Sequence, residues 1–413
     1  MYDQLHHIAE LTAVFCGLLL LFTAVKHYAQ KTVFPSEAWI LLLGMAYGLA
    51  AKNRPDWNLP DISLDPAIVL ILILPLLIFA SGRKIRLDAL KSQAISTGFL
   101  AIPGVILTAF LIAWPLAVFL GIPLTHTLVL GAALGAIDPT AVTSIFQRFK
   151  IPERLKTLVE GESLFNDGTT VVLFSLVSGL ALNSGMFTLS HSAFDFGWSV
   201  LVAVPLGILT GWLASWLLCF WCCEDRNFMS TSLTIVLAYT AYLIAEELLH
   251  VSGVISVLVA AITFSRLVHK KEKTEHENAN VQMMDAFWEY ITQTLNAFLF
   301  FMLGATTGAH DFSGLTFGMV AAAILAMIFS RVLLIYGSGW ILKLSLPWQN
   351  VLVLGGLRGG ISAALILLIP TDYAHYQLFM CLAFAMIAFT LIVQPPLIQF
   401  YLKKSGGKLE TRS

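Results

Sequence analysis

Apolar stretches of membrane-crossing length follow one another along almost the whole chain, separated by short polar or Gly/Pro punctuation. Thirteen stand out, over approximately residues 8–25, 36–51, 64–81, 94–120, 125–147, 155–182, 193–221, 229–249, 252–268, 286–308, 315–342, 349–369 and 377–402. Each is read as a helix, because lipid offers no partner to an open backbone and an α-helix satisfies its own. Between the eighth and ninth, at Val251-Ser252-Gly253, a single kinked helix is the alternative. Met1 to Glu10 has no Lys or Arg, and the run after it has no small-residue cleavage site. The first stretch therefore reads as a span, not a leader.

Two spans carry their own interruptions. Span 5 contains Gly131, Gly135 and Asp138-Pro139; Pro139 has no amide to donate and pushes the residue before it out of the helical region. Span 12 is weakened by Gly355, Gly356, Gly359 and Gly360. Non-helical backbone at membrane depth is tolerated only where it is buried in protein or lines a wet cavity. The two spans also look alike: Leu128-Val-Leu-Gly131 against Val351-Leu-Val-Leu-Gly355. Span 3 (Leu74-Pro-Leu-Leu-Ile-Phe79) likewise echoes span 10 (Phe298-Leu-Phe-Phe-Met-Leu303). Both pairs lie seven spans apart, and an odd offset inverts one half relative to the other. Chance likeness between apolar, glycine-containing segments is the competing explanation. The expected fold is thus all-α and polytopic, with two inverted repeats and two broken, crossing helices at spans 5 and 12. The expected division of the single domain 1–413 is a first repeat 1–182, a linker helix 183–227, a second repeat 228–404 and a short cytoplasmic tail 405–413.

Composition agrees with a membrane solvent: 58% of residues are hydrophobic and only 12% charged. The net charge of −1 says nothing about partners, and nucleic acid is excluded. The distribution of charge is more informative. With the amino terminus outside, 20 of the 24 Lys and Arg fall in inner connections or the carboxyl-terminal tail, the outer connections hold Lys52 and Arg54, and Arg331 and Arg358 fall within spans. This is the positive-inside pattern, so an outside amino terminus and a cytoplasmic carboxyl terminus are expected. Of the five cysteines, Cys219, Cys222 and Cys223 have helical spacing but no nearby His or second Cys pair, so they read as inert membrane cysteines.

The chemistry concentrates at Gly161-Glu162-Ser163-Leu164-Phe165-Asn166-Asp167, which opens about four further turns of apolar sequence. Glu162, Ser163, Asn166 and Asp167 are linked by i,i+3 and i,i+4 spacings, placing two acids, an amide and a hydroxyl on one face. A carboxylate within a span is expensive and is by default a functional-site hypothesis. Half-helix ends at the interrupted spans would set positive dipole ends close to Asp138, with Arg358 compensating buried negative charge.

The runs Gly135-Ala-Ile-Asp-Pro-Thr-Ala-Val142, Gly161-Glu-Ser-Leu-Phe-Asn-Asp167 and Gly355-Gly-Leu-Arg-Gly359 resemble the NhaP-type sodium/proton antiporters and the animal sodium/proton exchangers. The resemblance covers nearly the whole chain, with weaker echoes at Ala245-Glu246, His250 to Gly253, Phe389-Thr390 and Val393-Gln394. It implies a secondary transporter, not an enzyme, that needs no cofactor and exchanges sodium (or lithium) for protons by alternating access in the cell (inner) membrane, as a homodimer among membrane lipid. It further implies that Asp167 is the cation- and proton-binding carboxylate, with Asp138 and Ser163 as further sodium ligands, Asn166 bracing broken span 5, and Glu162 paired with Arg358. Two departures stand out. Ala80 replaces a glutamate that family members often carry in span 3, and Ile137 replaces a frequent hydroxyl, leaving only its backbone carbonyl to serve. The neutral Asn166 beside Asp167 implies electroneutral exchange.

Physical chemistry points the same way. A small hard cation needs several oxygen ligands, and a partly desolvated carboxylate can hold either that cation or a proton. A potassium/proton antiporter of the same fold is the alternative, and a cation channel a more distant one. An intramembrane hydrolase lacks its motifs, since neither His-Glu-x-x-His nor Gly-x-Ser-x-Gly occurs. The remaining polar residues take plainer roles: Glu246 and Glu247 as interfacial or packing residues, Arg331 as a snorkelling or capping residue, His126, His250 and His310 as solvated span ends, and Lys270 to Asn280 as an inner loop.

Overall fold

In the computed structural model of the chain, residues 2–29, 31–54, 56, 66–84, 94–146, 149, 151–182, 189–220, 226–271, 275–312, 314–340, 342 and 344–405 are described. Among them there are helices and no strands. Among the described residues seven helices are long and apolar enough to cross a membrane, and shorter apolar helices accompany them. Large apolar side chains lie on the outside: Trp198, Leu201, Leu209, Trp212 and Trp216 of one helix alone are all about half exposed. Water would not tolerate that surface, and lipid does. The chain divides into two compact units, Ala67–Ile137 with Glu153–Gln293, and Met1–Pro66 with Asp138–Pro152 and Thr294–Ser413.

The first of these units is built on α3 (Pro66–Arg83), α4 (Ala94–Ala101), α5 (Pro103–Leu120), α6 (Leu124–Ala133), α8 (Glu153–Leu182), α9 (Leu189–Phe220), α10 (Arg226–Leu243) and α11 (Gly253–Lys271). Pro75 has no amide to offer the carbonyl a turn earlier, and α3 widens into a π-helix over Val69–Ile73 just before it. The Leu72 carbonyl is then met by the Tyr239 hydroxyl at 2.9 Å. Small residues set the helix contacts: a Cβ on Gly131 would lie 2.3 Å from the Ala109 carbonyl, and one on Gly211 would lie 2.6 Å from that of Ala260. In lipid such close backbone approach is itself the attraction, since apolar side chains gain nothing by leaving a medium as apolar as themselves.

Spans 8 and 9 are two helices. After α10 the chain makes a π turn, Ile244–Leu248, and His250 takes a positive φ of 50°. Glu246 then accepts the Gly253 amide at 2.9 Å and the Ser199 hydroxyl accepts that of Ser252 at 2.7 Å, satisfying the first donors of α11. Glu246 is thus a helix cap.

The other unit holds α1 (Tyr2–Ala29), α2 (Ser36–Asn53), α7 (Thr140–Phe146), the second half of α12 (Glu275–Ala309), α13 (Phe317–Gly339), α14 (Leu346–Leu354), α15 (Gly360–Leu367), α16 (Tyr376–Ile392) and α17 (Gln394–Lys404). Here α2 and α12 clasp through glycines. A Cβ on Gly44 would lie 2.2 Å from the Phe301 carbonyl, and one on Gly48 would lie 2.1 Å from that of Ala305. In return a Cβ on Gly304 would lie 2.2 Å from the Leu41 carbonyl, and one on Gly308 would lie 2.4 Å from that of Met45. The four form two small-x-x-x-small pairs, one on each helix.

One expectation needs correcting. Lys270 to Asn280 is not a loop throughout: α11 runs to Lys271, and α12 begins at Glu275 and continues for 35 residues. At about 1.5 Å per residue this exceeds the bilayer's hydrocarbon depth, and the Glu- and Ala-containing start extends a helix already nucleated in the apolar part. Cys222, Cys223, Arg86, Lys91, Lys408 and Arg412 lie outside the described residues, as do the first residues of the expected linker and the end of the tail.

Candidate functional site

The acid stripe lies on α8. Glu162, Ser163 and Asn166 are buried, at 2%, 4% and 2% exposure, and Asp167 is half-buried. The Ser163 hydroxyl donates to the Ile137 carbonyl at 2.6 Å, so it ties α8 to the interrupted stretch after α6. The helix has ended by this point: the Leu134 amide makes a last helical bond to Leu130, the Gly135 amide reaches only three residues back to Ala132, and Ile137 keeps a buried carbonyl that needs a donor. Asn166 accepts from the Thr170 hydroxyl at 2.9 Å, and Thr170 in turn packs on Gly135, where a Cβ would come within 2.8 Å. Asp167 accepts from the hydroxyl of Ser81 on α3 at 3.0 Å.

Ser81 is the residue that sequence reasoning missed. A lone serine in an apolar run carries no spacing signal, and its partner is 86 residues away. What the sequence did offer was the neighbouring departure at Ala80, which is buried at 2% exposure and brings no oxygen.

In the other unit Asp138 sits beside the broken segment between α14 and α15. Its amide donates to the Leu357 carbonyl at 2.9 Å, and its side chain lies over Gly359, where a Cβ would meet the aspartate Cβ at 2.5 Å. Only glycine leaves that space. Gly360 is equally confined, with the Asn296 side chain 2.0 Å from where a Cβ would stand. Arg358 is buried at 1% exposure, and its amide donates to the Thr390 hydroxyl at 3.3 Å. Arg331, also buried, donates its Nε to the Leu352 carbonyl at 3.0 Å and so satisfies an acceptor of the last turn of α14. It caps rather than snorkels. The same unit has a cavity of about 1020 Å³ whose walls include Tyr47, Lys52, His310, Asp311, Tyr373 and His375.

The site residues named from the sequence thus fall into two groups. Ile137, Glu162, Ser163, Asn166 and Asp167 belong to one unit; Asp138, Pro139, Gly355, Gly356, Arg358, Gly359 and Gly360 belong to the other. Among the described residues no cluster of three or more His, Cys, Asp or Glu is suited to a resident metal. Three hydroxyl contacts gather along α8: Ser81 donates to the Asp167 carboxylate, Ser163 to the freed Ile137 carbonyl and Thr170 to the Asn166 amide oxygen.

An all-helical, multi-pass membrane fold with interrupted helices and a carboxylate inside a span defines the transporter class. The family model described as "Sodium/hydrogen exchanger, transmembrane" matches residues 11–404, and the chain belongs to that family. Among its relatives, the Na(+)/H(+) antiporter ApNhaP of Aphanothece halophytica is 33% identical, over 84% of this chain and 66% of that one. The Na(+)/H(+) antiporter NhaH of Halobacillus dabanensis is 30% identical, over 95% of this chain and 98% of that one. The solved structure of the sodium proton antiporter MjNhaP1 from Methanocaldococcus jannaschii at pH 8 shares the fold, with a TM-score of 0.76 at 19% identity, covering 96% of this chain and all of that one.

Proposed function

We propose that this chain exchanges sodium (or lithium) for protons across a membrane, with cation and proton competing for Asp167. Membership of the sodium/hydrogen exchanger family and relatives named Na(+)/H(+) antiporters support sodium/proton exchange over potassium/proton exchange. The single observation that carries the residue assignment is Asp167, a half-buried carboxylate inside an apolar helix and within hydrogen-bond reach of a second helix. Such a group is costly to leave bare, so it is neutralised by a proton or a cation in turn, and a barrier to moving the bare charge makes the exchange obligatory. The protein is a transporter, not an enzyme, and its substrates are the ions themselves.

The finer topology belongs to the same reading: thirteen crossings, two inverted repeats divided at 182 and 228, amino terminus outside, carboxyl terminus in the cytoplasm, inner-membrane placement and a homodimer. The charge asymmetry supports the orientation. The test is Asp167→Asn in proteoliposomes. The amide is nearly isosteric but can neither ionise nor take up and release a proton as the carboxylate does, so sodium-driven proton flux is expected to vanish while the protein stays folded. Retained flux overturns the assignment.

A further inference from the structure

We propose that the Ser81 hydroxyl is a ligand of the transported cation, which makes α3 a direct contributor to selectivity. The proposal rests on the reading of Asp167 as the exchanging carboxylate.

The first argument is what Ser81 does not do. A hydroxyl in an apolar helix ordinarily bonds back to the carbonyl four residues earlier in its own helix. Thr169, Ser175, Thr210, Thr307 and Ser338 do this, to Phe165, Val171, Leu206, Leu303 and Leu334. Ser81 instead spends its proton on Asp167, on another helix, at 3.0 Å.

The second argument is that the pair is held in register by its surroundings. The residue after each partner is a glycine, and both glycines press on one side chain of α11. A Cβ on Gly82 would lie 3.1 Å from Leu258 Cδ1, and one on Gly168 would lie 2.6 Å from Leu258 Cδ2. One residue further, the Arg83 carbonyl accepts from Ser265 of α11 at 3.0 Å, and the Arg83 guanidinium is ion-paired with Asp285 of α12. Ser81 and Asp167 are therefore referenced to the same wall, as a pre-organised binding pair requires.

The third argument is chemical. A hydroxyl has one proton and two lone pairs. With its proton on an ionised Asp167, its lone pairs remain for a cation held by that carboxylate, and sodium takes oxygen ligands of this kind. When Asp167 carries a proton, the same hydroxyl turns and accepts from it. One contact thus serves both loaded states, at the cost of a bond rotation only.

The experiment measures sodium-dependent proton movement in proteoliposomes for wild type, Ser81→Ala, Ser81→Cys, Ser81→Thr and Asp167→Asn. Loss of one ligand oxygen is expected to raise the sodium KM about tenfold in Ser81→Ala, with turnover at saturating sodium within about twofold of wild type. Ser81→Cys keeps the size but offers soft sulfur, and is expected to match Ser81→Ala; this covers the case in which the alanine variant does not fold. Ser81→Thr keeps the oxygen and is expected to retain the wild-type KM. A wild-type KM in Ser81→Ala or Ser81→Cys, or a threonine variant as impaired as alanine, overturns the inference. Asp167→Asn separates the two levels: an active amide variant sinks the underlying reading, whereas an inactive one beside an unaltered Ser81→Ala sinks only the role of Ser81.

Discussion

The amide of Asp138 donates to the carbonyl of Leu357 across 2.9 Å, so a residue flanking one helix break is stitched by its backbone to the middle of the other. The aspartate side chain then rests on Gly359, and the contact leaves no volume for anything larger than hydrogen. Gly359→Ala is therefore expected to destabilise the protein by about 1–3 kcal/mol, the usual consequence of forcing a methyl into a filled site. Thermal unfolding in detergent reads this directly, and an unchanged midpoint would mean that the segment relaxes freely.

Ser163 offers a second test. Its 2.6 Å bond to Ile137 satisfies a buried carbonyl where the chain is no longer helical. Ser163→Ala is expected to lower stability by about 1–3 kcal/mol and to raise the sodium KM as well, because the hydroxyl lone pairs leave with its proton. A variant as stable as wild type would show that the carbonyl finds another donor.

Arg83 and Asp285 make an ion pair with unequal halves: the arginine side chain is 4% exposed and the aspartate side chain 58%. Water at the aspartate weakens the pair, so Asp285→Asn is expected to cost about 1 kcal/mol, nearer a surface pair than a buried one. A double-mutant cycle with Arg83→Met measures the coupling, and strict additivity would mean that the two do not interact.

Coupling is expected to be electroneutral. Beside Asp167 stands the neutral Asn166, bonded to Thr170, and at position 80 of α3 there is a buried alanine. One exchanging carboxylate takes one proton, so one sodium should leave for each proton taken. Proteoliposomes clamped at different potentials with potassium and valinomycin decide the matter; exchange whose equilibrium follows voltage carries net charge and refutes the ratio.

Much of this was legible in the chain itself, and the parts that were not have physical reasons. The helical membrane class follows from the apolar runs, and the signals at Pro139 and at Gly355 to Gly360 coincide with places where the helices stop, at Ala133 and Leu354. Spacing also put Glu162, Ser163, Asn166 and Asp167 on one helix, and all four lie on α8, because periodicity along a helix is a local property. Ser81 stayed hidden because its role depends on which helices become neighbours, and no local pattern encodes that. Arg331 was ambiguous for a similar reason. A long cation in an apolar helix can reach either the headgroups or an inner carbonyl, and only the nearby end of α14 decides. The α2 and α12 glycines carried a readable four-residue spacing, but the sequence does not say that each pair faces the other.

That clasp has a bearing on how the chain can vary. On one side α2 is open to its surroundings, and Trp39, Leu42 and Leu43 stand about two-fifths exposed there. Any large apolar side chain serves at such places, so that surface can drift with the composition of the host membrane. Along the line of Gly44 and Gly48 there is no such latitude, since the neighbouring backbone occupies the space a methyl would need. One helix therefore has two rates of change written on opposite faces. In the offspring of this sequence, the positions that look least chemical should be among the slowest to move.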